Sequence, residues 1–175
     1  GRNWTYSHHV TPNGATFKDD CREFIGMTRV TDVDVDAMSR IYAASWRGAT
    51  FNYSDENVGY IVGVRPKGYK PEVLPDYDKL GEMDLVKQME SPSARRRMEA
   101  QRALVRKGIS DPAAKSLITL AEDKAKPLYS RIAAAFALKL GTKPEVANNL
   151  LNSLANQDAA IRPFAIRAAT DRAGQ

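Results

Sequence analysis

Two adjacent histidines, His8 and His9, sit in the run "NWTYSHHV". Imidazole serves as a general base or as a metal ligand. Neighbouring strand residues point to opposite faces, so these two do not readily share one ion. They read either as a general base or as surface histidines at a sheet edge. Further on, Asp32, Asp34 and Asp36 alternate with Thr31, Val33 and Val35. Three carboxylates along about 13 Å of strand suit a hard cation such as calcium. Against this, the spacing is not ligand-dense and no glycine makes a sharp turn, so turn capping is the other reading. Trp46 and Arg47 close a strand and open a loop. Arg47 is the candidate for holding an anionic cofactor or substrate, or else it stacks on Trp46 or Tyr53. No catalytic residue and no metal ligand is assigned.

Arginine dominates the second half. Arg95, Arg96, Arg97, Arg102 and Arg106, with Lys107, form a basic run and are the candidate partner-binding residues. Net charge is +5 in all, −1 up to Tyr77 and +6 beyond it. Such a run attracts phosphate or an acidic partner, or is a solvated helix face. No aromatic residue interleaves with it, so stacking on single-stranded nucleic acid has no support. Arg97, Arg131 and Arg162 lie at matched positions of a loose repeat, 34 and 31 residues apart. An arginine recurring in this way reads as a structural ladder to a neighbouring carboxylate or carbonyl, or as a ligand-binding ladder.

Several chemistries find no motif. There is no Ser-His-Asp order, no phosphate-cradling glycine loop and no H-E-x-x-H. Cys21 is the single cysteine, which excludes an internal disulfide and a Cys-rich zinc site. There is no C-x-x-C-H for covalent haem. No apolar run approaches the roughly 18–20 residues that span a bilayer. An opening on Gly1 rather than Met points to a processed or trimmed chain, with an upstream signal or domain outside it.

These residues must be positioned by two kinds of structure. Residues 1–70 carry β patterns: "NWTYSHHV", Val30–Asp36, Arg40–Trp46 and Gly59–Val64. The short polar link "DAMS" joins the second and third of these as a hairpin. The loop from Arg47 to Val58 is rich in Gly, Asn, Ser and Asp. Residues 71–78, with two prolines and no period, read as a linker. From Lys79 the pattern is helical: about 79–90, then a helix to Lys107. A third is capped by Asp111 with Pro112 at its first position. A fourth starts at Pro127, a fifth at Pro144, and a sixth is capped by Asp158, with Pro163 expected to bend it. Gly108, Gly141 and Gly174 recur every 33 residues after "RRRMEAQRALVRKG", "LYSRIAAAFALKLG" and "AIRPFAIRAATDRAG". Each can close a helix in the left-handed conformation. A period in the low thirties with alternating helices marks an α-solenoid. The helix from Leu128 is apolar nearly all round and is expected between two neighbours. The helix after Pro144 carries a stripe of Val146, Leu150, Leu151 and Leu154.

The string "RVTDVDVDAMSRIYAASWRGATFNYSDENVGYIVGVRPKG", with the upstream "HHVTPNGATF", resembles the last blade of glucose/sorbosone dehydrogenase-type propellers. It is more specifically similar to a large planctomycete-type family of membrane-bound dehydrogenase-like proteins. In those a propeller precedes HEAT-like repeats and often a c-type cytochrome domain. The resemblance covers about residues 5–70. It implies an α+β chain: an antiparallel segment like one propeller blade (1–70), a linker (71–78) and an α-solenoid of HEAT-like helix pairs (79–175). It also implies a periplasmic or other extracytoplasmic place, and a parent protein using pyrroloquinoline quinone, calcium and c-type haem. No cofactor is expected in this chain itself.

Three functions follow as expectations. The first is a non-catalytic interaction and scaffold segment of a larger dehydrogenase, its helical repeats binding protein. The partner is then the rest of the parent chain, another protein, or a second copy through the blade edges. The second is a fragment contributing to a quinone-dependent sugar or alcohol dehydrogenase site. The third is a basic solenoid on nucleic acid.

Overall fold

The computed structural model describes residues 3–13, 16–47 and 56–171. The chain is mixed α+β, with strands first and helices after, and divides into two compact units, Gly1–Glu72 and Val73–Gln175. Gly174, Tyr53 and most of the loop after Arg47 lie outside the described residues.

The first unit holds five strands. β1 (Trp4–Asn13) and β2 (Thr16–Gly26) form a two-stranded antiparallel ribbon. β3 (Asp32–Val35), β4 (Ile41–Trp46) and β5 (Gly59–Val64) form a three-stranded antiparallel meander in that order. Among the described residues there is no closed barrel or propeller. β1 is longer than the run that predicted it, and β2 was not expected as a strand. Almost all of the ribbon is exposed. Its register slips by one residue between Thr5 and Tyr6, a bulge of the kind that bends and twists a strand pair. At its base the Trp4 ring covers Gly26, leaving 3.2 Å to where a Cβ would stand.

The meander's core is thin: Ala43 and Ser45 on β4 are buried, with Met27 beside the sheet. Its β3–β4 turn is built around Asp36. That carboxylate accepts from the Met38 amide at 2.8 Å, the Arg40 amide at 3.0 Å and Arg40 Nε at 2.6 Å. Ser39 takes φ 63° to close it, as hairpin loops of this length require. Burial works to raise the Asp36 carboxyl, but the hydrogen bonds from Arg40 and Met38 outweigh it and hold the group below its ordinary value.

The second unit has six helices: α1 (Glu82–Gln88), α2 (Ala94–Lys107), α3 (Asp111–Glu122), α4 (Leu128–Gly141), α5 (Pro144–Gln157) and α6 (Arg162–Thr170). They pack as sequential pairs, α1 on α2, α3 on α4 and α5 on α6. Equivalent helices of successive pairs also touch, α1 on α3, α2 on α4 and α4 on α6. α4 meets α2, α3, α5 and α6. The reason is in its side chains: Ala134, Ala135 and Ala137 are buried with Leu138, and small residues let neighbours approach on several sides at once. None of these helices is long and apolar enough to cross a membrane.

Helix ends depart from expectation in instructive ways. The cap of α3 is Ser110, whose hydroxyl accepts from the Ala113 amide, so Asp111 is the first helical residue. Pro163 stands in the first turn of α6, where its missing N–H costs nothing and no bend follows. Gly108 is left-handed at φ 85°. Gly141 is instead the last residue of α4, and a Cβ there would stand 2.5 Å from Ile109 Cδ1. Close approach, not backbone freedom, keeps glycine at that position. On α5, Ala147 replaces Val146 in the buried stripe, and Val146 remains exposed.

Ser130, on α4, is fully buried, and its hydroxyl is one of the buried polar atoms left without a hydrogen bond among the described residues. An unsatisfied buried hydroxyl is destabilising, and alanine is the better helix former. Ser130→Ala should therefore raise the unfolding free energy by about 1 kcal/mol, read from urea denaturation followed by helical circular dichroism.

Candidate functional site

The recurrent arginines of the helical unit make related contacts. Every one sits early in the second helix of a pair; Arg131 and Arg162 reach back to a carbonyl in the last turn of the first helix, and Arg97 to two carbonyls of the link between the helices. Arg97 Nη1 donates to Ser91 O at 2.7 Å and Pro92 O at 2.9 Å, just past α1. Arg131 Nε donates to Ala121 O at 2.9 Å, in the last turn of α3. Arg162 Nε donates to Ala155 O at 2.6 Å, in the last turn of α5. The last carbonyls of a helix have no partner within it, and a cation there also suits the helix dipole. The arginines therefore clamp each pair at its turn.

Arg131 does more than the others. It is 4% exposed, and Nη2 donates to Asp158 Oδ2 at 2.5 Å. Asp158 in turn joins α5 to α6. Its amide closes α5 on Leu154 O, its carbonyl receives the Arg162 amide, and its other carboxylate oxygen accepts from the Ala160 amide at 2.9 Å. Arg131 thus ties the second pair to the third. The Arg131 hydrogen bond, then that from Ala160, hold the Asp158 carboxyl below its ordinary value.

Arg97 faces a groove. Its guanidinium lies 4.3 Å from the centroid of the Tyr129 ring, within cation–π range, and burial lowers its ordinary value. The groove between α2 and α4 has a volume of about 370 Å³ and is lined chiefly by Met98, Ile132 and Phe136, with Arg97 and Tyr129 at one end. Gln101 Nε2 donates to Ala133 O at 3.2 Å across it, joining the two helices. A second groove of about 510 Å³ lies where α3 meets the α4–α5 turn, between Ile118, Val146 and Gly141, with Lys115 and Lys143 at its rim. The first is open and apolar with few convergent polar groups, which suits contact with an apolar side chain rather than bond-breaking chemistry; the second also has Asp111 and Thr142 in its lining.

The basic run is largely paired. Arg102 meets Glu99 at 2.8 Å and Arg106 meets Asp78 at 2.6 Å. Lys107 Nζ donates to Asp78 O at 2.6 Å, and Arg95 and Arg96 also have interaction partners. Of the expected partner-binding set, only Arg97 borders a groove described here.

In the strand unit, Arg47 is exposed and its amide donates to Val58 O at 2.7 Å; it is Arg29 that lies over the Trp46 ring. Asp32 and Asp34 each accept from the amide of the following residue, and Asp36 is occupied by its turn. The three carboxylates do not gather. The structure does bring together His8, Asp19 and Cys21 on the ribbon. His8 Nδ1 stands 2.7 Å from Asp19 Oδ2, and His8 Nε2 stands 3.8 Å from Cys21 Sγ. His9 pairs with Asp20 on the other face. The in-line order Asp–His–Cys matches that of a nucleophile relay. It lies exposed on a two-stranded ribbon, and none of the grooves described here is lined by these residues. Sequence reasoning missed this trio because β2 carries no alternation of apolar and polar residues. The available signal was Pro12-Asn13-Gly14 between two polar runs, a hairpin turn type.

No family model matches the chain, and neither the curated proteins nor the solved structures contain a significant match.

The Arg131–Asp158 contact fixes a pH response. A carboxyl held low in the folded state contributes stability above its unfolded value of about 3.9, and that contribution is lost as pH falls through the lower folded value. Asp158→Asn should therefore be clearly less stable than the parent chain at pH 7, and the gap should narrow steadily below about pH 4. Urea midpoints across this range, read on the helical signal, check it; a gap that stays constant with pH contradicts it.

Proposed function

We propose that this chain is a non-catalytic interaction and scaffold segment of a larger dehydrogenase-like protein. In this reading the helical unit is a short HEAT-like solenoid and the strands are a propeller-blade-like segment, in an extracytoplasmic setting. The observation that carries it is the arginine clamp repeated in three successive helix pairs. Such a clamp stiffens each pair and leaves apolar grooves between pairs as the recognition surface. The groove bordered by Arg97, Tyr129 and Phe136 is the surface assigned to a partner protein, which would insert an apolar side chain beneath the Arg97–Tyr129 stack.

The pairing of Arg102 and Arg106 with carboxylates weighs against a nucleic-acid role, since such binding depends on cations that release counterions from phosphates. None of the grooves described above is lined by His8, Asp19 or Cys21, which weighs against a self-contained enzyme.

Two measurements test the reading. Titrating the chain with pyrroloquinoline quinone and calcium in a calorimeter should give no saturable heat; saturable binding would favour a cofactor-holding fragment instead. The protein from its native source should have a mass several times 19.4 kDa with a haem absorption band. A colourless protein near that mass contradicts the proposed parent.

A further inference from the structure

We propose that His8, Asp19 and Cys21 form a binding site for a zinc-class divalent cation on the β1–β2 ribbon. The placement follows from the pairing. His8 lies directly opposite Cys21, and Asp19 opposite Val10. Side chains two apart on a strand share a face, so Asp19 and Cys21 flank the same spot and His8 meets both across the ribbon. Cross-strand Cβ atoms stand about 4.5–5.5 Å apart, which suits short ligands reaching one ion between two strands.

The distances fit a small ion. One donor atom from each residue can be chosen so that all three lie within 4.8 Å of one another. Zinc bonds of about 2.0–2.3 Å in tetrahedral arrangement place ligand atoms roughly 3.3–3.8 Å apart. The 2.7 Å from Asp19 Oδ2 runs to His8 Nδ1 and the 3.8 Å from Cys21 Sγ to His8 Nε2; these are different nitrogens of one ring, so a single ion takes one of them and the other side chain turns toward it, closing the 4.8 Å span. All three side chains are exposed, so rotamer shifts of about 1 Å meet no packing barrier.

The donor set chooses the ion. One imidazole nitrogen, one thiolate sulfur and one carboxylate oxygen suit borderline cations such as Zn²⁺ and Co²⁺. Calcium and magnesium call for six or more oxygens in calcium's case and near-ideal octahedral oxygen in magnesium's. Three protein ligands on an exposed face leave a fourth position for water or for a donor from a partner. The ion would also serve the ribbon, because an isolated two-stranded pair is marginal in water and an ion bound to the folded form adds its binding free energy to the pairing.

The test is a Co²⁺ titration of the whole chain, kept reduced without thiols and followed by absorption. The site predicts a sulfur-to-cobalt charge-transfer band in the near ultraviolet that Zn²⁺ abolishes by displacement. Cys21→Ser should lose the band. His8→Gln and Asp19→Asn should each weaken binding at least about tenfold, while His9→Gln, on the opposite face, should bind as the parent does. Amide proton NMR of the strand unit confirms that the ribbon is intact in each variant. Absence of the band, cobalt binding indifferent to Cys21→Ser, or equal damage from His9→Gln and His8→Gln each overturns the proposal.

Discussion

The helical unit is organised by one buried cation. The Arg131 guanidinium enters from α4, takes the Ala121 carbonyl at the end of α3, and grips Asp158 at the junction of α5 and α6. Four helices thus depend on its position. A buried charge left without its partner is strongly destabilising, so the arrangement tolerates little slippage between the second and third pairs. Arg97 and Arg162 make the carbonyl half of the contact in their own pairs. Neither has a carboxylate partner comparable to the 2.5 Å bond of Arg131 among the interactions described here.

What the clamps fix, small residues then permit. The alanines of α4 bring four neighbours close, and Gly141 admits Ile109 where any side chain would collide. The result is a dense centre and apolar grooves where equivalent helices meet at the surface. Exposed apolar residues gathered in such grooves mark contact surfaces more often than reaction sites. The strand unit is the opposite case. Its core is thin and its ribbon is wet on both faces, so local hydrogen bonds at Asp36 and cross-strand polar groups at His8 hold much of what packing does not.

The helical half was the more legible because its signals are local. Prolines at 127 and 144 start helices where the chain has them, and the three arginines at matched repeat positions each bond backbone carbonyls ahead of their own helix. Errors came where two explanations share one residue: Gly141 suggests a left-handed turn from sequence, yet its reason is the side chain of Ile109, which no local rule contains. Asp111 looked like a cap because it precedes Pro112, but it is Ser110, one residue earlier, whose hydroxyl accepts from the Ala113 amide. β5 was found at its observed bounds, whereas β2 escaped because "TFKDDCREFIG" buries neither face and so carries no period. The trio on the ribbon was hidden for the same reason: it exists only in the register between two strands, and His8 alone gave no hint of Cys21.

The most direct measurement is a double-mutant cycle across Arg131 and Asp158, using Arg131→Met and Asp158→Asn, singly and together, with equilibrium unfolding followed on the helical signal. If this pair locks successive helix pairs together, the two changes are non-additive, with a coupling of about 1 kcal/mol or more. Changes that add within about 0.3 kcal/mol would mean that apolar packing alone holds the pairs in place, and that the buried arginine does not organise the unit.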